Sequence, residues 1–282
     1  MNSIKKVLKK DFPPLLREIC DPPEHIYIRG DFPLGEYKYL TVVGSRRFSD
    51  YGKQAVDTLI EGLRGLPVVI VSGLAYGIDA RAHEAALRAG LKTIAVPGSG
   101  LNDDVLYPKE NLRLAQNILE SGGVLMSPFE SDLPAAPWTF PERNRIMAGM
   151  SHATLVVEAS LITSRLATDY NRDVFAVPGS IFSSKSAGPH QLIRSGATPI
   201  TCADDLVEAL GFNPAAARIV AETTLNSMPD SERTVWDALS EPLDRDALIG
   251  KTGLSASAVN AALSMLEIRG LIEELLGQIC RK

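Results

Sequence analysis

The residues with the most chemistry to offer lie where an apolar run meets a turn. Tyr39-Leu-Thr-Val-Val-Gly-Ser-Arg-Arg-Phe-Ser-Asp-Tyr51 reads as a buried strand over 40–43, a turn at Gly44 and a helix that starts near Ser49. Such a turn brings free backbone N–H groups, the Ser45 hydroxyl and the guanidinium groups of Arg46 and Arg47 to one spot, the donor set that a phosphate needs. Gly44 has no Cβ to hold a ligand off. Ser49 or Asp50 can cap the helix, which leaves Ser45, Arg46 and Arg47 to face outward. The same residues also fit a plain βα connection with two solvated arginines. No G-x-G-x-x-G and no G-K-[ST] is present, so neither the dinucleotide fingerprint nor a P-loop applies.

Three more apolar runs end in the same way. Ser72-Gly73 follows one, and Ala95-Val-Pro-Gly-Ser99 and Ala176-Val-Pro-Gly-Ser180 are the same five residues, each ending a predicted strand. In an open parallel sheet these turns gather at the carboxyl edge, and four together are expected to form a backbone-lined anion site. Arg143 and Arg145 stand two apart at a predicted helix start, so their side chains diverge. One is expected to face a ligand and the other to pair internally, with Glu158 or Asp79. Phe140 or Trp138 could supply a flat surface for an unstacked base, with core packing the plain alternative for Phe140. Asp79 is expected to cap the helix that carries His83.

Positioning these groups takes a regular frame. Strands are predicted over 40–43, 68–71, 93–96, 124–126, 154–157, 174–177 and 199–201, and helical patterns over 54–64, 79–89, 109–119, 143–150, 161–170 and 190–195. Apolar strands alternating with amphipathic helices imply an α/β domain, a Rossmann-like doubly wound parallel sheet covered on both faces. Ahead of it, Ile4 to Ile19 is broken by Pro13-Pro14 and is expected to hold at most two short helical pieces. A short strand is predicted over 25–29. The expected organisation is an N-terminal extension packing on the core (1–38), the Rossmann-like domain (39–210), a linker (211–230) and a small winged-helix domain (231–282).

The C-terminal unit shows three short helical patterns and an apolar hairpin with Gly277 at its turn. Ser255 is the expected cap of the third helix, and Val259, Ala262, Leu263 and Leu266 its inner stripe. Its outward positions Ser257, Asn260, Ser264 and Glu267 leave Arg269 as the one cation. A recognition helix usually reads the major groove with Arg or Lys, so a protein contact or a weak DNA role is the better expectation.

Totals narrow the classes further. A chain of 282 residues that is 45% hydrophobic can bury a large core, and its length suits one sizeable domain and a smaller one. No apolar run approaches the roughly 18 residues of a membrane span. Met1 to Lys10 is basic without an apolar stretch, so no export signal is read and a cytoplasmic location without membrane contact is expected. Cys20, Cys202 and Cys280 are too far apart for a metal set and suit reduced thiols. With a net charge of −5, any nucleic-acid contact must come from a local basic patch. His25, His83, His152 and His190 are scattered, and no nucleophile signature accompanies them. No catalytic residue, metal site or cofactor is expected.

Taken in order, the motifs resemble those of the DNA-processing protein A family (DprA/Smf). They run from Asp11-Phe-Pro-Pro-Leu-Leu-Arg-Glu-Ile19 and Ile28-Arg-Gly-Asp31 through Val43-Gly-Ser-Arg46 and Ser72-Gly-Leu-Ala-Tyr-Gly-Ile-Asp79 with Ala82-His83. Ile94-Ala-Val-Pro-Gly-Ser-Gly-Leu101, Tyr107-Pro108 and Phe140-Pro-Glu-Arg-Asn-Arg-Ile146 follow. Val156-Val-Glu-Ala159, Leu161-Ile-Thr163 and Arg172-Asp-Val-Phe-Ala-Val-Pro-Gly-Ser180 complete the set. The resemblance implies a non-enzymatic protein that binds and protects single-stranded DNA without sequence preference. It further implies a homodimer that helps load the RecA recombinase in natural transformation and recombination. The DNA-binding residues it implies are Gly44, Ser45, Arg46, Arg47, Ser72, Gly73, Ala75, Gly77, Gly98, Gly100, Phe140, Arg143, Asn144 and Arg145.

The chain departs from the family pattern in several places. The loop after Glu158 is shorter, Asn102-Asp-Asp104 is longer and more acidic, and His190 stands where Asn is common. Few residues precede Asp11, so the N-terminal helical module of many members is expected to be missing. The rival reading is a nucleotide-binding or phosphoribohydrolase-type enzyme of the same superfold. Those enzymes carry Pro-Gly-Gly-x-Gly-Thr, whereas Pro97-Gly-Ser-Gly-Leu-Asn102 lacks both the second consecutive Gly and the Thr.

Overall fold

A computed structural model describes residues 3–33, 35–158, 162–217, 229–239, 242–268, 272–275 and 277–281. Its main element is a nine-stranded sheet in the order β1-β2-β6-β5-β4-β3-β7-β8-β9. The strands are β1 (Ile4–Leu8), β2 (His25–Arg29), β3 (Lys38–Gly44), β4 (Val68–Ser72), β5 (Lys92–Ala95), β6 (Val124–Ser127), β7 (Ala153–Val157), β8 (Asp173–Ala176) and β9 (Thr198–Pro199). From β6 to β9 every neighbouring pair is parallel, while β1 and β2 run antiparallel at one end.

The chain winds outward from β3 to β4, β5 and β6, then returns to lay β7 against the other side of β3 and winds the opposite way. Leu40 faces Ala153 and Gly44 faces Val157 across that junction. Strand order therefore reverses between β3 and β7, and the crevice outside their carboxyl ends is where an open α/β sheet takes its ligands.

Alternation along the strands decides which helix covers which face. Leu40, Val42, Val68 and Ile70 bury against α2 (Asp50–Glu61), α3 (Ile78–Arg88) and α8 (Ala203–Ala209). Val43, Val69, Val71 and Val156 turn to the other side, against α1 (Pro14–Glu18) and α5 (Thr139–Met150). A third cluster packs α4 (Leu112–Glu120) on Ala95 and Leu125. Two further α-helices of this unit are α6 (Ile162–Asp169) and α7 (Ala187–Arg194).

Two elements of the fold were not read from the sequence, β1 and α8. The two short helical pieces expected before the core are a 3-10 turn at Lys9–Asp11 and the helix Pro14–Glu18, and ahead of them Ile4–Leu8 is an edge strand paired with His25–Arg29. Ile4 and Val7 are half-buried beside exposed lysines, and the pairing satisfies a backbone that so short a segment could not satisfy as a helix. Helix α8 had no counterpart in the sequence reading. Its start is held by Asp205, whose carboxylate accepts from the Thr201 and Cys202 amides at 2.8 and 3.2 Å.

The C-terminal residues form the winged-helix unit: helices Asp230–Ala238, Arg245–Thr252 and Ala256–Ile268 and the hairpin of Ile272–Leu275 with Gln278–Arg281. Val235, Leu248, Val259, Leu263, Leu266, Ile272 and Ile279 make its own core. Ser255 accepts from the Ala258 amide at 3.2 Å, and Ser257, Asn260, Ser264 and Glu267 are exposed. Arg269, residues 218–228 of the expected linker and residues 159–161 after Glu158 lie outside the described residues.

Candidate functional site

The ends of β3 and β4 with their turns, the start of α5 and Thr163 of α6 enclose a pocket of about 340 Å³ at the β3/β7 crevice. Gly44, Arg46, Ala75, Phe140, Arg143 and Asn144 are among its walls, with Asp79 and Thr163. Six of the expected DNA-binding residues, and Asp79 with them, are thus brought to one place.

Local rules explain how. Gly77 has φ +86° and caps α3, and a Cβ there would strike the Ser45 carbonyl and the Arg46 backbone. The Ile78 amide donates to that Ser45 carbonyl at 3.1 Å, so the turns after β3 and β4 lock together. Ser72 is buried and donates its hydroxyl to the Val42 carbonyl at 2.7 Å, holding β4 to β3. Thr139 donates to the Gly98 carbonyl and fixes the start of α5 over the β5 turn. The Phe140 ring then lies on Gly98, where a Cβ would come within 2.7 Å of it.

The groups left facing solvent are few. Arg46 and Arg47 are exposed, and the Arg46 guanidinium sits over the Phe140 ring, 5.4 Å from its centroid. Tyr107 meets the same ring edge-on at 5.9 Å. Phe140 is half-buried, held on one side by protein and open toward the pocket. A cation spread over an aromatic face is a fitting surface for a base and its phosphate.

The cradle of amides, in contrast, is already filled. Asp79 is buried in the first turn of α3, and the backbone amides of Gly73, Gly44 and Ala75 hydrogen-bond to its carboxylate. Burial pushes that carboxyl up from its ordinary range, against the opposing pull of Arg143 and the three amides. Arg143, also buried, places Nη1 3.5 Å from Asp79 Oδ2, in the space that a Cβ on Gly73 would occupy. The expectation that Asp79 serves as a helix cap is corrected. Gly77 holds the cap position, and Asp79 reaches back to the turns after β3 and β4, whose buried amides need an acceptor.

The start of α2 is also occupied. Glu158 accepts from the Ser49 amide at 2.8 Å and from the Ser49 hydroxyl, and Ser49 accepts from the Gly52 amide at 3.3 Å. The Ser45 hydroxyl accepts from the Arg47 amide at 3.0 Å, and the Ser45 amide donates to Val157. The β3 turn therefore offers its cations outward and little of its backbone.

Other singled-out residues have supporting roles. Arg145 pairs with Asp21 at 2.6 Å and Glu142 at 2.7 Å, away from the pocket, so neither Arg143 nor Arg145 is the free cation expected at the start of α5. Gly100 packs on the Glu130 and Ser131 carbonyls and donates its amide to Leu133 at 2.7 Å. Asp103, from the acidic insertion, is paired with Arg29. His83 is buried with Nδ1 2.7 Å from the Thr93 hydroxyl, and burial brings its pKa down to about 3.

Ser49 caps α2 as expected, but sequence reasoning missed Glu158 as the acid that holds that cap, Tyr107 as a wall of the aromatic site and Asp79 as the hub of the turns. A signal existed only for the last, an acid in the first helical turn after two glycines. Glu158 and Tyr107 reach their partners through the fold.

Comparison with known proteins finds relatives of both parts of the chain. Residues 4–211 match the family model described as DNA recombination-mediator protein A, and residues 220–278 match that of the DprA winged helix domain. Protein Smf of Escherichia coli is 43% identical over 71% of the chain, a match spanning 54% of its own length, so the chain covers only about half of that relative. DNA processing protein DprA of Streptococcus pneumoniae is 42% identical over 73% of each chain. The crystal structure of the S. pneumoniae protein superposes with a TM-score of 0.69 at 40% identity, covering 74% of this chain and 75% of that one. DNA processing protein A from Helicobacter pylori, a structure described for its single-stranded DNA binding mode, gives 0.66 at 29% identity, covering 74% and 98%.

Proposed function

Because the chain belongs to the DNA recombination-mediator protein A family, we propose that it binds single-stranded DNA at the β3/β7 crevice, protects it and helps load the RecA recombinase onto it. One observation carries the reading: the Arg46 guanidinium lies over the Phe140 ring at the mouth of an open pocket on the sheet's carboxyl edge. A base can stack on the aromatic and guanidinium surface while Arg46 and Arg47 meet phosphates, which binds any sequence. Gly44, Ala75 and Asn144 line the approach. Gly73, Gly77, Gly98 and Arg143 shape it, and Asp79 neutralises the buried arginine.

In this reading the protein is not an enzyme, acts as a homodimer and works in the cytoplasm. No helix among the described residues is long and apolar enough to cross a membrane. Anisotropy with labelled oligo(dT) at two salt concentrations tests the proposal: binding should weaken with salt and with Arg46→Ala, and equal affinity in that variant rejects the site. Release of base from a nucleoside monophosphate would instead favour the hydrolase alternative.

A further inference from the structure

On the same edge of the sheet as the Phe140 site, the turn leaving β8 carries the two most exposed large apolar side chains among the described residues. Ile181 is 81% and Phe182 93% exposed. Neither belongs to any core cluster. The turn beneath them is well anchored. Tyr51, in the first turn of α2, donates its hydroxyl to the Pro178 carbonyl, and His190 Nε2 lies 3.0 Å from the Gly179 carbonyl. The Phe182 amide donates to the Ser180 hydroxyl at 3.2 Å and the Ser183 amide to the Ser180 carbonyl at 3.0 Å, which closes the tip.

The surroundings identify the occupant. Only β7 separates β3 from β8, so the turns bearing Arg46 and Phe182 leave the sheet about 10 Å apart. Near this edge, among the described residues, are the exposed Arg47 of the β3 turn, the half-exposed Tyr51 that reaches Pro178, and Lys185 on the β8 side. The acids are Asp50 in the first turn of α2 and Glu158 at the end of β7, the latter held by Ser49. The core of a protein interface is depleted of charge. Aromatics interleaved with cations along a track suit a single strand, whose bases stack and whose phosphates need guanidinium or ammonium groups.

Resting on the reading above, we propose that Phe182, with Ile181 beside it, is a second base-contacting platform. It extends the path of the strand from Phe140 across Arg46 and Arg47 and past Tyr51. Oligo(dT) of about 2 nucleotides is too short to bridge the two turns and reports the Phe140 site alone, whereas one of about 16 covers both platforms. Phe182→Ala and Phe182→Leu should bind the short strand like the parent and the long one about fivefold or more weakly, while Phe182→Trp retains the parent's affinity. Leu keeps the apolar bulk without a π-face, so loss in Leu and retention in Trp is the mark of stacking.

Unchanged long-strand affinity in Phe182→Ala, with Arg46→Ala weakened at both lengths, overturns this extension and leaves the Phe140 site standing. Failure of the parent to bind either length overturns the underlying reading as well. A fall in mass by light scattering on Phe182→Ala, with DNA affinity intact, makes the tip a contact between copies and likewise overturns the proposal.

Discussion

Asp79 Oδ2 lies 3.5 Å from Arg143 Nη1, with both side chains buried at the floor of the pocket and the carboxylate held by the amides of Gly73, Gly44 and Ala75. The residues that look most like a phosphate cradle are therefore joined to one another by an internal anion. What faces outward is the paired Arg46 and Phe140.

Losing that pairing should show in affinity. Arg46→Ala is expected to weaken oligo(dT) binding by about 1 to 3 kcal/mol and to lower the salt dependence by close to one phosphate contact. Arg46→Lys should recover the charge contact and lack the flat face that lies on Phe140. Anisotropy titrations at several salt concentrations read both.

Breaking the buried pair should cost folding. Asp79→Ala leaves the Arg143 guanidinium uncompensated and three amides of two turns unpaired, for an expected loss of about 3 to 5 kcal/mol. Replacing both at once with apolar residues should cost less than the two single losses added, since the pair is directly coupled. Urea unfolding of the four proteins measures this. Strict additivity would show that the two side chains do not interact.

Gly98→Ala separates positioning from contact. The added Cβ would meet the Phe140 ring at 2.7 and 2.8 Å, and that ring must move or tilt to accept it. DNA affinity should fall although no binding group is removed, with stability reduced by no more than about 1 to 3 kcal/mol. Tyr107 and Arg46 touch the same ring, so a crystal structure of the variant should show all three shifted.

Stability should decline on mild acidification. His83 is buried and its pKa lies near about 3, against an unfolded value of about 6.5, so the unfolded chain takes up a proton that the folded one refuses. The neutral form supports the fold fully above the unfolded pKa, and that support drains away as pH falls from about 6.5 toward 3. His83 alone should remove about 2 kcal/mol between neutral pH and pH 5. Burial lowers His152 as well, in the same direction. Denaturation midpoints from pH 7 to pH 5 should fall less steeply in His83→Gln. An identical slope would mean the side chain is protonated in the native protein.

Much of the architecture was determined locally. Runs such as Val68-Val-Ile-Val71, bounded by glycine turns and separated by amphipathic segments, specify parallel strands covered on both faces, and the duplicated Ala-Val-Pro-Gly-Ser segments mark strand ends on one edge. Gly44, Arg46 and Phe140 could be singled out because turn chemistry, charge and a flat ring are properties of the residues themselves. The inner stripe of Val259, Ala262, Leu263 and Leu266 was readable for the same reason.

Which donors and cations remain free was decided only by the tertiary structure. Nothing in the spacing of Gly44, Gly73 and Ala75 reveals that their amides converge on Asp79, or that Glu158 closes the start of α2 across a separation of 109 residues. Arg143 and Arg145 look alike in sequence, yet one is buried on Gly73 and the other leans on Asp21. Hydrogen-bond satisfaction in a buried site depends on every group within a few ångströms, and such neighbours are set by how the sheet and helices pack and not by order along the chain.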